Sequence, residues 1–365
     1  MVLASLCAGA GCRGDNYSLG YNCLPTGTDK ELQNAINAQQ EVLLCPRATF
    51  LLSSPVILRD GTTLATFERP TDPAEMATIK LAEGFTGQHI GIGAVPTNPT
   101  VGIHNVTIAS IRFDGNRRML GPKTDIQLVY LGPGGNFQVV GNVFTDTPGW
   151  THLHLIEPCD GATVTGNTVQ TGTLTHDANM GFADGLSISC RNTTIADNNV
   201  YDISGVGIVY YGGPNTIIRH NTVVEMTTSA SSGINVGDAT TPDHTGVIIT
   251  DNIIRAVPPT YLHVGIAAGI RLWPKPVKKD VMGVTISGNV ITGTARYGLA
   301  VDGCLNCNIT DNQIANWEPL PAASGCPASA AYVASYTAGH ASGNLQPGWV
   351  DANLDDCVGP PATTP

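Results

Sequence analysis

Apolar and polar residues alternate in short runs along most of the chain, and one run recurs: an apolar residue, two small or polar residues, Asn, any residue, and an apolar residue. It reads "QVVGNVF", "TVTGNTV", "TIADNNV", "IIRHNTV", "IITDNII", "TISGNVI" and "NITDNQI". The asparagines are Asn142, Asn167, Asn198, Asn221, Asn252, Asn289 and Asn312, in steps of 25, 31, 23, 31, 37 and 23 residues. A floor of 23 with insertions is the signature of a coiled β solenoid, in which each repeat adds one turn and insertions become loops. A second anchor lies inside each step, a glycine opening an alternating strand: Gly185, Gly207, Gly233, Gly269 and Gly298. The largest insertions flank this glycine-led strand, which places long loops around one face and marks that face as the functional one.

Stacking fixes what each column does. Strands of successive coils lie roughly 4.8 Å apart, so the asparagines are expected to form an internal hydrogen-bonded ladder. Cys159 and Cys190 each stand 8 residues before their asparagine, so they face each other on adjacent coils and are expected to form a disulfide. Cys304 and Cys307 are expected to pair with Cys326 and Cys357, in an order the spacing leaves open. Near the N-terminus, "TGTDKELQNAINA" spaces Thr28 and Glu31 as a capping box with Leu32 and Ile36 on one face. That predicts a helix covering the open end of the solenoid. "EVLLCPRATFLLSSPVIL" then reads as strands.

Side chains alternate across a strand, so Leu186 and Ile188 are expected to face the core, with Gly185, Ser187 and Ser189 outward. The same phase aligns Val209, Asn235, Arg271 and Ala300 with Ser187, and turns His152 and His154 outward in "WTHLHLI". The outward glycines would floor a shallow trough edged by His154, Tyr211, Arg271, Trp273 and Asp302. Such a trough suits an extended polysaccharide. Asp184 and Asp114 each precede a glycine and so also fit ordinary Asp-Gly turns. The loop "LTHDANMGFA" adds His176 and Asp177 beside Asp184.

Composition narrows the class. Charged residues make up 13% and Gly numbers 42, a balance that favours β structure and turns over surface helices. A net charge of −11 argues against nucleic acid, whose phosphates need a basic surface. No apolar run is long enough for a membrane span. Ten cysteines without a paired zinc motif point to disulfides and an oxidising compartment. The sequons at Asn16, Asn105, Asn192 and Asn308 are compatible with glycosylation. The expectation is a secreted, extracellular monomer whose signal peptide has been removed.

Across residues 25–315 the chain resembles the pectate-lyase-like superfamily of right-handed parallel β-helices. The implied organisation is a disulfide-tied N-terminal segment (1–24), an all-β parallel β-helix with its capping helix (25–315), a disulfide-tied C-terminal segment (316–358), and the start of a linker or tail (359–365). "FADGLSI" is similar to the polygalacturonase N-T-D-G motif, in which the Asp is a catalytic acid; the paired Asp and the G-H-G of that family are replaced here by "SGVGI" and "SSGIN". "GWTHLH" followed one coil on by "FADGL" also resembles the alginate C5-epimerase site, with His154 and Asp184 on two family positions and Gly149 and His152 replacing its Tyr and first Asp. Those epimerases and the lyases share abstraction of the sugar C5 proton. The chemistry needs a base, a cation on the substrate carboxylate and a proton donor for the leaving oxygen. The resemblance assigns His154 as base, Arg271 with Lys275 as carboxylate clamp, Tyr210 or Tyr211 as donor, and Asp184 to orient the histidine or, with Asp177, to hold Ca²⁺. His152, Asp177, Asn235, Trp273 and Lys275 are the candidate substrate contacts. A lyase, an inverting hydrolase using Asp184 and a second carboxylate, and a non-catalytic glycan-binding solenoid all remain open.

Overall fold

The computed structural model describes residues 22–87, 89–96, 101–123, 125–170, 183–237, 241–272, 277–278, 281–320 and 331–333, with side chains for all of these except 271, 277–278 and 331–333. Among them, strands stack into two large parallel sheets of 20 and 11 strands. One coil shows the plan. Cys159–Thr165 runs along the smaller sheet between Gly134–Val140 and Arg191–Ala196. The chain turns at Asn167, and Thr168–Gln170 pairs with Val143–Thr145 and Asn199–Tyr201. After a second corner, Asp184–Ile188 lies between Thr151–Leu155 and Val206–Tyr210. The alternating pattern is thus spent on three short strands per coil, each with one face inside the tube.

Val164, Val169, Leu186 and Ile188 fill that tube and are fully buried, as are their counterparts Ile195, Val200 and Ile208 in the next coil. Each such side chain contributes about 1.5–3 kcal/mol relative to exposure. The expected asparagine ladder is present. The backbone N–H of Asn142 donates to Asn167 Oδ1 (3.0 Å), that of Asn167 to Asn198 (3.0 Å), and so on through Asn221, Asn252 and Asn289 to Asn312. Each ladder amide also donates to a carbonyl one coil back, as from Asn198 Nδ2 to Val164 O at 2.9 Å. The tight corner leaves backbone groups that no strand can pair, and the asparagine side chains satisfy them inside the core.

The glycine column differs from expectation in membership and direction. Strand register aligns Gly185, Gly207, Gly233, Gly265 and Gly298, since Ile234 pairs with Ile266 and Ile266 with Leu299. Gly269 instead ends the strand Leu262–Ala268, with φ +79°. These glycines face the core: a Cβ on Gly207 would lie 2.7 Å from Val223 Cγ1 and 2.6 Å from Gly233 O. They are small because the corner strand presses against them, and they form no trough floor. The row aligned with Ser187 therefore contains Ala267 in place of Arg271.

The helix Asp29–Ala38 carries the expected capping box at Thr28 and Glu31. Gln33 closes the edge of the strand Val56–Leu58 by accepting from Ile57 N and donating to Ile57 O, at 2.8 and 2.9 Å. The disulfide Cys159–Cys190 forms as its spacing requires, and Cys23 joins Cys45. Cys304 pairs with Cys307, against the expectation of partners at Cys326 and Cys357. The left-handed backbone of Asn306 folds that segment tightly enough to bring the two sulfurs together. Asp114 is structural, bound to Lys80 Nζ at 2.6 Å and to Asn116 N at 2.8 Å.

Candidate functional site

The outward row on the glycine-led sheet reads Gly93, Tyr130, His154, Ser187, Val209, Asn235, Ala267, Ala300. Alternation sets it there, because Val129, Leu131, Leu153 and Leu155 on either side are in the core. Rings gather around His154. The centroid of Trp150 lies 4.9 Å away, that of Tyr130 5.5 Å, and that of Tyr211, just beyond the strand Val206–Tyr210, 6.0 Å. Gln127 Oε1 stands 2.8 Å from His154 Nδ1, and the Tyr211 hydroxyl is hydrogen-bonded to Nε2. With Gln127 presenting its oxygen, Nδ1 carries the ring proton and Nε2 accepts from the phenol. Burial at 5% exposure lowers the imidazole pKa to about 3, so the ring is neutral at ordinary pH. The result is a neutral base that accepts a hydrogen bond from the Tyr211 phenol in a dry aromatic recess.

Sequence reasoning found His154 and Tyr211 but missed Gln127, Tyr130 and Trp150. "IQLVYL" alternates in the phase of "WTHLHL", and that was the available signal for Tyr130. Tyr210 is excluded as a proton donor: it is fully buried, and its hydroxyl donates to Gly213 O and, at 2.8 Å, to Thr216 Oγ1.

Asp184 occupies the start of the next strand and is 4% exposed. Burial raises its carboxyl to about pH 7, against the opposing hydrogen bonds from Val206 N (2.8 Å) and Ser187 Oγ (3.4 Å). Its contact with a histidine is through the backbone: His152 Nδ1 donates to Asp184 O at 2.9 Å. His152 lies on the outward side of its strand yet is fully buried, and burial lowers its pKa to about 4. It therefore does not line an open surface, and the group that orients His154 is Gln127 rather than Asp184. Asn235 is likewise fully buried, its amide donating to Ile270 O at 2.7 Å. That removes it from the substrate contacts. Ser187 and Asp302 are also buried. The backbone of Arg271 pairs antiparallel with Val277, while its side chain, like Asp177, His176, Trp273 and Lys275, lies outside the described residues.

A Ca²⁺ site asks for six to eight oxygens. Asp184 offers a shielded carboxyl with one oxygen committed to Val206, and among the described residues no group of three or more His, Cys, Asp or Glu could hold a metal. Among the described residues the donors do not make up such a set, and Asp177, the second oxygen ligand expected, lies outside them.

Past the end of the outward strands a cleft of about 630 Å³ opens between Pro133, Pro158 and Pro214. Gly212, next to Tyr211, lines it, and so does Glu157. Glu157 also stands close enough to Tyr130 to help burial raise that phenol above its ordinary value. The cleft therefore opens at the ends of the strands that carry the recess.

This stack of three-stranded coils defines a parallel β-helix. The chain belongs to the family described as "Right handed beta helix region", whose model matches residues 127–272 and 184–319. No curated protein matches it. Similar solved structures include the alginate lyase of Paenibacillus sp. str. FPU-7, at 14% identity and a TM-score of 0.56 over 85% of this chain and 97% of that one. The polygalacturonase of Erwinia carotovora ssp. carotovora follows at 14% and 0.54 over 84% and 98%. The tailspike of E. coli bacteriophage HK620, a double mutant in complex with a pentasaccharide, gives 15% and 0.59 over 78% and 53%. At these identities the likeness is one of fold.

Proposed function

We propose that the chain is a secreted polysaccharide-active enzyme, a lyase that cleaves a uronate-containing glycan by C5-proton abstraction and β-elimination. The observation that carries the reading is the hydrogen-bonded series Tyr211, His154, Gln127 inside an aromatic recess. Neutral His154 takes the C5 proton on Nε2. The C5–H electron pair becomes the C4=C5 double bond, the C4–O bond breaks, and the leaving oxygen takes the Tyr211 phenolic proton, which the proton gained by His154 then replaces. Gln127 keeps the imidazole in the accepting tautomer. Elimination also needs a cation on the substrate carboxylate, whose developing charge must be stabilised; Arg271 does not meet that need for a sugar at His154, because it follows a strand four coils on in the register, roughly 19 Å away at about 4.8 Å per coil. Three disulfides support an oxidising, extracellular setting. The names of the structural neighbours, an alginate lyase, a polygalacturonase and a glycan-bound tailspike, support a glycan partner.

The raised Asp184 carboxyl favours a second reading, an inverting hydrolase with Asp184 as acid. That reaction needs a partner carboxylate roughly 6.5–9.5 Å away. The deciding experiment is absorbance near 235 nm during digestion of pectic, alginate and glucuronan substrates, with and without EDTA. A rise supports elimination, and its loss in EDTA would restore Ca²⁺. New reducing ends without a rise support hydrolysis, and binding without product leaves a glycan-binding solenoid.

A further inference from the structure

Among the described residues, the charge left unpaired in the cleft beside the recess is negative. Of its basic lining groups, Arg191 is bound to Asp160 Oδ2 at 3.1 and 2.7 Å, and His104 lies 3.7 Å from Asp60. Among the described residues, no lysine or arginine pairs with Glu157 or Asp243: Glu157 accepts from Ser189 Oγ, and Asp243 accepts from Thr245 N at 3.0 Å. Hydrogen bonds from Thr245, and from Asn192 and Arg191, lower the Asp243 and Asp160 carboxyls, so both are anionic at any working pH. The remaining walls are uncharged, and the prolines Pro133, Pro158 and Pro214 with Gly212 and Gly213 present flat faces among them. At about 630 Å³ the cleft falls within the roughly 300–1,000 Å³ of ordinary ligand pockets.

We infer that this cleft seats an uncharged sugar next to the uronate in the recess, so that the substrate is a heteroglycan alternating uronate with neutral sugar rather than a homopolyuronate. The inference rests on the lyase reading above and specifies its substrate. Neutral sugars bring hydroxyl donors that carboxylates accept strongly, and ring C–H faces that lie well on proline. A second uronate would set its carboxylate against Glu157 and Asp243 in a confined space, where like charges repel far more than in open water. The same arrangement resolves how a protein of net charge −11 acts on an acidic polymer: it tolerates one carboxylate at a time.

The test is affinity electrophoresis of the whole protein in gels containing either polygalacturonate or a polymer of alternating galacturonate and rhamnose, with absorbance at 235 nm followed in parallel. The expected result is binding to the alternating polymer about ten-fold tighter or more, a gap of at least ~1.4 kcal/mol. In Glu157→Gln/Asp243→Asn the gap closes through a gain on polygalacturonate. Both residues are at least partly exposed, and a melting curve checks that the variant folds. Equal or tighter wild-type binding to polygalacturonate, no retardation by either polymer, or an unchanged ratio in the variant overturns the inference. Preferential binding with no 235 nm product upholds the cleft and overturns elimination instead.

Discussion

Tyr211 and His154 stand 57 residues apart and share a hydrogen bond at the head of the recess. The strand of His154 and the strand leading to Tyr211 are separated by Asp184–Ile188 alone, so coil stacking itself delivers phenol to imidazole. Under the proposed chemistry, Tyr211→Phe and His154→Ala each lower turnover by about 10²–10⁴-fold. The double variant is expected to be little worse than either single one, because the two groups act as a unit. Initial rates at saturating substrate measure this, and a strictly multiplicative loss would show that they work separately.

The pH profile separates the two chemistries. His154, lowered to about 3 by burial, stays neutral from mildly acidic pH upward, so elimination shows no histidine limb near pH 6.5. Hydrolysis through Asp184, raised to about 7, would fade above neutrality as the acid loses its proton. Turnover measured from pH 5 to 9 is expected to hold through pH 7; a steep alkaline fall favours hydrolysis.

Asp184 also sets a pH-dependent stability. Its folded pKa of about 7 exceeds its ordinary 3.8, so the folded state holds the proton more tightly, and this group's contribution declines as pH rises from about 4 to 7. At 1.36 kcal/mol per unit the swing is roughly 4 kcal/mol. Asp184→Asn keeps an acceptor for Val206 N–H and removes the titration. Thermal melts of the two proteins are expected to diverge in the variant's favour between pH 4 and 7, over and above the contributions of His152 and His154, which both share.

Within the ladder, Asn198 Oδ1 receives both Asn167 N and Asn167 Nδ2, at 3.0 and 2.9 Å. Asn198→Ala leaves those donors buried without acceptors, at about 1–3 kcal/mol per orphaned group. Urea unfolding reads the loss; a variant as stable as wild type would mean that water fills the corner.

Gly207→Ala places a methyl 2.6 Å from Gly233 O and 2.7 Å from Val223 Cγ1, and overpacking of this kind costs about 1–3 kcal/mol. Gly84→Ala meets nothing within 4 Å and is expected to leave the melting temperature unchanged.

The architecture was legible where stacking forces equal offsets. The ladder and Cys159–Cys190 needed only counting from one asparagine to the next. The count failed at "VGIAAGIRLW", which offers two glycine-apolar steps four residues apart; register with Gly298 selects Gly265, and Arg271 drops out of the row. Direction failed too. Alternation turned Gly185 outward, yet both Gly185 and Leu186 face the core, and Asp184 and Ser187 come to the same side, near enough for a hydrogen bond. Outward also proved a different matter from exposed, as His152 and Asn235 show. Gln127 escaped notice because it meets His154 diagonally, opposite Thr151 rather than opposite the histidine, a geometry that strand alternation does not encode.

One covalent bond has a mechanical meaning. A solenoid touches itself only between neighbouring coils, so under heat or tension it frays from its ends inward. Cys159–Cys190 rivets the coil of His154 to the coil of Asp184, one residue past Ser189 and two past Glu157. When neighbouring coils separate, this bond still holds these two together, so the strands of His154 and Asp184 are expected to be the slowest of the site to part.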